Sequence, residues 1–180
     1  MKFTKTDIEG VIVIEPKVFP DPRGFFYESY RRELFAANGI PDDFVQDNIS
    51  SSAKGVLRGL HFQIAPKAQA KLMRVLRGSV FDVGVDLRPR SKTYGKYFSV
   101  ILSAENKKML YIPLGFAHGF CVLEEGTEFL YKVSDYYAPE YERGLFWNDP
   151  ALGIAWPKLD REFILSEKDK KYPSLQNYRP

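Results

Sequence analysis

His61 and His118 are the only two histidines in the chain, and each lies in a glycine-punctuated apolar stretch, GLHFQ and GFAHGF. Imidazole ordinarily titrates nearest neutrality, so either residue suits general-base work. Either also suits a buried core position with its nitrogens satisfied by a neighbour. Arg58 stands three residues before His61. In a strand that odd spacing puts the two on opposite faces, so they share a pocket only if the chain bends or bulges at Arg58-Gly59. The run KLMRVLRGSVFDVGVD alternates. Lys71, Met73, Val75 and Arg77 fall on one face, and further along Asp82, Gly84 and Asp86 share a face. Carboxylates and a lysine turned into an interior must be paired or used; a solvated outer face accounts for the same pattern. FLYKVSDYY supplies Tyr131, Tyr136 and Tyr137. A phenol is protonated at neutral pH and can donate a proton, although packing with one hydrogen bond is the commoner use.

These residues must be positioned by strands. VIVIEPKVF, GFFYESY, FVQDNIS, KYFSVILS, KMLYIP and TEFLYKV are short, rich in β-branched and aromatic residues, and broken by turn residues. LRGSVFDV predicts a hairpin turning at Gly78-Ser79, and GFCVLEEGTEFLYKV a second turning at Glu124 to Thr127. Many short strands in one small domain predict a sandwich or barrel. Helices are few. SYRRELFAANG predicts one, with Ser29 as N-cap and Gly39 as stop, and LSEKDKKYPSL a second, with Ser166 before an acidic first turn. Edge strands need cover, which the N-terminal run would supply by crossing to a second subunit.

At 180 residues the chain fits one domain spanning 1–180, and no linker or repeat divides it. Apolar residues at 44% and charged residues at 27% exclude a disordered tail or a disulfide miniprotein. The net charge is 26 − 23 = +3, with no Lys/Arg cluster dense enough for a nucleic-acid groove; a few cations in a pocket for a phosphorylated ligand explain the sign equally well. Cys121, the only cysteine, sits in apolar GFCVL and reads as a buried thiol. With no disulfide, no signal-peptide pattern and no apolar run of ~18 residues, the expected location is the cytoplasm, with no membrane partner.

PLGFAHGF reads P-x-G-x-x-H, which resembles the second motif of the cupin superfamily. Metal cupins carry H-x-H in their first motif, whereas this chain has His61, Phe62 and Gln63. With two histidines, a metal would have to draw heavily on carboxylates, so no catalytic metal is expected.

Several blocks together carry a more specific resemblance: FPDPRGFFYESY, FVQDN, GVLRGLHFQ, KLMRVLRGSVFDVGVDLR, LSAENKKMLYIPLGFAHGF, EFLYKVSDYYAPEYERGLFWNDPALGIAWP and ILSEKD. From about Ile12 to about Asp169 the chain resembles the dTDP-4-dehydrorhamnose 3,5-epimerases. The resemblance implies a mostly β cupin-type jelly roll (double-stranded β-helix) with a few short helices, and a homodimer without metal or organic cofactor. It implies epimerisation of dTDP-4-keto-6-deoxyglucose at C3 and C5 to dTDP-4-dehydro-L-rhamnose, a precursor for cell-surface glycans. It makes His61 the base, Asp169 the carboxylate that orients it, Tyr131 the acid on the opposite face and Lys71 the cation beside the enolate. It makes His118 a substrate contact, and Arg23, Glu28, Gln46, Asp47, Asn48, Arg58, Glu142 and Lys168 nucleotide or sugar contacts. Tyr137 matches the ring that stacks on thymine. The chain departs from the usual pattern at Ala70 and Met73 (QAKLMRV for QGKLVRV) and at Gly84 (FDVGVD for FDVAVD), which touches packing alone. Competing readings are a mono-epimerase or a 3,4-ketoisomerase on a related sugar, a non-catalytic sugar-nucleotide binder, and a metal-dependent cupin oxygenase.

Overall fold

The computed structural model describes residues 1–178. Among the described residues thirteen short strands, one short α-helix and one 3-10 turn follow one another: β1 Lys2–Lys5, β2 Ile12–Glu15, β3 Phe19–Asp21, β4 Gly24–Phe26, α1 Arg32–Ala37, β5 Gln46–Ser52, β6 Leu57–Gln63, β7 Lys71–Arg77, β8 Ser79–Asp86, β9 Tyr97–Ser103, β10 Met109–Ile112, β11 Phe116–Val122, β12 Thr127–Val133, the 3-10 turn Pro139–Tyr141 and β13 Glu142–Gly144. They build a six-stranded sheet in the order β1-β2-β10-β7-β12-β5 and a five-stranded sheet in the order β13-β6-β11-β8-β9. All strand pairings are antiparallel. Two facing antiparallel sheets whose consecutive strands switch sheets make the expected jelly roll.

Alternation sorts side chains between the sheets and the outside. Met73 and Val75 on β7, Phe129 on β12, Val80 on β8 and Phe116, Phe120 and Val122 on β11 fill the space between the sheets. Leu72 points the other way from β7 and joins Ile12, Ile14, Met109 and Tyr111 under α1, where Phe35 is fully buried. Burying that one ring stabilises the helix's position by about 1.5–3 kcal/mol. Leu60, Val83, Val85 and Ala117 line the outer face of the five-stranded sheet, covered by Leu145, Leu152 and Trp156 from the C-terminal third. The departures from the family pattern fit this packing. Met73 is core, and a Cβ at Gly84 would fall 2.9 Å from Ile112 Cγ2. Cys121 is buried, and burial pushes its thiol up to about 11.

Several expectations need correction. Neither expected hairpin is one: β7 pairs with β10 and β12, and β8 with β11 and β9. At Gly78 and again at residues 124–126 the chain crosses from one sheet to the other. Turn residues specify a reversal, while the partner of each strand is set by the whole sheet. Gly78 has φ +74°, and a Cβ there would fall 2.3 Å from Thr127 Oγ1, so only glycine makes that crossing. Helix α1 begins three residues beyond Ser29, at Arg32, with Arg31 as an N-cap that makes no side-chain bond. Tyr30 stays outside the helix, its ring edge-on to Phe35 at 4.8 Å. The expected second helix is a single turn over residues 167–170. Ser166 Oγ still accepts the Asp169 N–H (3.1 Å), but Pro173 biases Tyr172 away from helical geometry. Within one chain β1 pairs with β2 and β2 with β10, with Ile12 and Ile14 buried beneath α1.

Candidate active site

A cavity of about 320 Å³ opens at one end of the jelly roll, between the inner faces of the two sheets. The six-stranded sheet contributes Gln46 and Asn48 from β5, Lys71 from β7 and Tyr131 and Val133 from β12. The opposite sheet contributes His61, Phe62 and Gln63 from β6 and Glu142 from β13. Tyr137 stands over the mouth, more than half exposed.

His61 meets Asp169 in the cavity wall. Asp169 Oδ1 lies 2.5 Å from His61 Nε2, and the carboxylate is almost fully buried. The C-terminal segment reaches this point because it runs beside the start of β6: Leu57 N–H donates to Ile164 O (3.0 Å), and Ile164 N–H to Gly55 O (2.9 Å). Burial pushes the Asp169 carboxyl up, but the hydrogen bond and charge of His61, with Ser166 and Lys168, hold it below the usual carboxylate range. Among the described residues His61 Nδ1 has no hydrogen-bond partner. A histidine with one nitrogen fixed by a buried carboxylate and the other free is arranged to take a proton, the carboxylate then stabilising the imidazolium.

Lys71 is buried, and its ammonium donates to the His61 carbonyl oxygen at 3.4 Å. Burial pulls it down to about 8 against the opposing attraction of Asp82 and Glu142. It therefore remains mostly cationic at pH 7, and a desolvated cation is a strong partner for a developing oxyanion. Tyr131 faces the cavity from the same sheet as Lys71, opposite His61. Burial raises its phenol above the usual range, with Arg58 opposing and Glu142 reinforcing the rise, so it is a protonated acid at neutral pH.

The bend required between Arg58 and His61 exists. His61 pairs with His118 and Arg58 with Phe120, so β6 carries one residue more than β11 across that interval. Gly59, at φ +122°, occupies the bulge, where a Cβ would fall 2.5 Å from Gly119 Cα. The Arg58 guanidinium thereby reaches Ser52 Oγ (3.1 Å) and acts on Tyr131. At the mouth, Glu142 accepts hydrogen bonds from the Tyr137 hydroxyl (2.8 Å) and from the Lys168 ammonium. Burial opposes ionisation of Glu142, but these two donors leave it below the usual range. Gln46 Oε1 accepts the Tyr137 N–H (3.0 Å), and Gln46 Nε2 donates to Asn48 Oδ1 (2.9 Å).

The other expected contacts lie elsewhere. His118 is buried, its Nε2 held by Asp82, and it does not line the cavity. Asp82 and Asp86 are fully buried, Asp86 bound by Arg88, Ser91 and Thr93, so the alternating face is interior rather than solvated. Asp47 points outward from β5 and pairs with Lys132 (2.8 Å). Arg23 lies in the β3-β4 turn, highly exposed, and pairs with Asp21. Glu28 pairs with Arg31 (3.4 Å). This stretch packs on the outer face of the six-stranded sheet, where Arg74 meets the Tyr27 hydroxyl, so the sheet separates it from the cavity of its own chain. Gln63, given no substrate role by the sequence, lines the cavity. Its amide donates to Lys67 O (2.6 Å) and Tyr136 O (3.2 Å) and accepts from Ala138 N–H (2.7 Å). The signal was present: glutamine stands where metal cupins place a second histidine. Among the described residues no three His, Cys, Asp or Glu side chains converge as a metal site would require.

The model of the family described as dTDP-4-dehydrorhamnose 3,5-epimerase matches residues 5–177. The dTDP-4-dehydrorhamnose 3,5-epimerase of Pseudomonas aeruginosa is 57% identical over 172 residues, covering 95% of this chain and 94% of that protein. The crystal structure of dTDP-6-deoxy-D-glucose-3,5-epimerase from Legionella pneumophila, in complex with dTDP-4-keto-L-rhamnose, superposes with a TM-score of 0.95 at 48% identity, covering 99% of this chain and 94% of that one. A 3'-monoepimerase from Streptomyces bikiniensis, solved with dTDP-quinovose, gives a TM-score of 0.89 at 36% identity, covering 95% and 86%.

Proposed function

The chain belongs to the dTDP-4-dehydrorhamnose 3,5-epimerase family, and we propose that it epimerises C3 and C5 of dTDP-4-dehydro-6-deoxy-D-glucose with His61 as base and Tyr131 as acid. The observation that carries the assignment is the placement of the His61–Asp169 pair and Tyr131 on opposite sheets of one cavity, with the Lys71 ammonium beside them. The C4 ketone acidifies the protons on both neighbouring carbons, because the carbanion spreads onto oxygen as an enolate. His61 removes the proton, and Asp169 stabilises the imidazolium that forms. Lys71 stabilises the enolate oxygen, a preorganised contact worth roughly 2.7–4 kcal/mol of barrier. Tyr131 returns a proton from the other face, inverting the centre; before the next inversion the Tyr131 phenolate takes a proton from solvent and the His61 imidazolium gives one up to it. No step changes oxidation state.

The nucleotide anchors the sugar. Tyr137, broad and exposed at the mouth, suits stacking on thymine at about 1–3 kcal/mol, and Arg58 and Lys168 suit diphosphate oxygens. Arg23 and Glu28 can reach a cavity only on a second copy of the chain. That geometry, with exposed Phe19, Phe25 and Phe26 on the same hairpin, supports a homodimer whose hairpins complete each other's sites. The enzyme would act in the cytoplasm; no helix among the described residues is long and apolar enough to cross a membrane.

The test is NMR of dTDP-4-keto-6-deoxyglucose with chelator-treated protein in D2O. Deuterium at C3 and C5 together is the expected result. Incorporation at one carbon would assign a mono-epimerase, and saturable dTDP binding without exchange would assign a binding module.

A further inference from the structure

Tyr172 has a place in the site that the sequence motifs do not announce. It follows Asp169 by three residues, and its ring lies edge-on to the His61 imidazole, centroids 5.7 Å apart and planes at 67°. The ring also rests against the backbone of Gly144, where a Cβ would fall 2.5 Å from both Cε2 and Cζ. Gly144 is the direct partner of His61 in the pairing of β13 with β6. Its backbone is not in the left-handed region, so glycine is not required there for conformation; what its missing side chain provides is room for Tyr172. The neighbouring backbone is clamped as well, since Phe146 N–H donates to Pro173 O (2.8 Å).

The need for such a wedge follows from what holds the base. The His61 side chain is 31% exposed because it faces the cavity, and Asp169 grips one nitrogen only. One hydrogen bond leaves the ring free to tilt about that contact. A proton abstraction has little tolerance for tilt, since misplacement of a reacting group by about 1 Å costs on the order of 10²-fold in rate. We infer that Tyr172, admitted by Gly144, is a positioning residue that wedges the His61 imidazole into the orientation in which its free nitrogen faces the sugar. The inference rests on the reading of His61 as the base.

The test is a cycle of variants: Tyr172→Ala, Tyr172→Phe, Gly144→Ala and the double variant Gly144→Ala/Tyr172→Ala, assayed for kcat, KM and dTDP binding. Tyr172→Ala is expected to lower kcat about 30-fold with KM and dTDP affinity within about threefold of wild type. Tyr172→Phe, which keeps the ring, is expected to restore most of kcat. Gly144→Ala, whose methyl displaces the ring, is expected to lower kcat to a similar degree. The double variant is expected to be no worse than Tyr172→Ala, since the new methyl then has no ring to displace. Additive losses, an unchanged kcat in Tyr172→Ala, or a fall in dTDP binding that parallels the fall in kcat would each overturn the wedge. Tyr172→Leu, which fills much of the same volume, covers the case in which alanine fails to fold. It is expected to bind dTDP normally with reduced kcat, and a wild-type kcat would overturn the proposal. A wild-type enzyme inactive on the sugar would overturn the underlying reading, which the variants alone do not.

Discussion

Replacing Lys71 with methionine is expected to stabilise the fold while disabling the enzyme. Burial holds the Lys71 ammonium at about 8, against 10.5 for a free lysine, even with Asp82 and Glu142 attracting it. The difference corresponds to about 3 kcal/mol by which the folded state disfavours the charged form. The sign follows from proton binding. Below about pH 8 the ammonium is charged in both states and the full cost applies. Between about 8 and 10.5 the unfolded chain binds the proton more tightly, so the wild-type fold gains stability as pH rises; above that range the cost is gone. Methionine resembles the neutral amine in volume and removes the same charge–charge attractions that deprotonation removes. At pH 7 Lys71→Met should therefore be more stable by about 3 kcal/mol, or roughly 6–12 °C in Tm. At pH 9.5 the gain should fall to about 1 kcal/mol. Urea unfolding of both proteins at the two pH values measures this, and kcat on the nucleotide sugar should fall about 10²–10³-fold in the same variant. A variant equally or less stable than wild type at pH 7, or a gain that ignores pH, would refute the reasoning that a buried cation is retained here for chemistry.

Three further substitutions separate the proposed roles. His61→Ala should abolish turnover with dTDP binding nearly intact by calorimetry; retention of more than a few per cent of the rate would remove His61 as the base. Tyr131→Phe should slow product formation more than loss of the substrate's α-protons, followed as deuterium uptake in D2O, and equal slowing of both would contradict an acid role. Tyr137→Ala should raise KM about 5- to 100-fold with little change in kcat, from a stacking energy of about 1–3 kcal/mol. An unchanged KM would refute the stacking.

The sequence by itself determined the chemistry and the material of the fold. His61 was legible as a candidate base from its residue type, whereas Asp169 in SEKD and Tyr131 in FLYK were legible as its partners only through the family resemblance. The alternation along KLMRV was legible too, because side chains change face at every residue: Lys71 is inside and Leu72 and Arg74 outside. The bulge beside His61 was permitted, but not required, by a glycine next to an odd spacing. Only the tertiary structure decided the rest. Gly78-Ser79 and Glu124 to Thr127 read as hairpins because a turn encodes a reversal and not a partner; the sheets pair β7 and β8 with other strands. Asp169 meets His61 across 108 residues, a distance no local pattern spans. His118 shares its residue type and glycine setting with His61, yet packing gave it to Asp82. Arg23, Glu28 and Asp47 share the blocks that carry the family resemblance, yet they lie beyond the sheet from the cavity. Gly144 and Tyr172 matter through a gap of a few ångströms between separate segments. Periodicity is a property of one strand, whereas which strands face each other is a property of the whole chain.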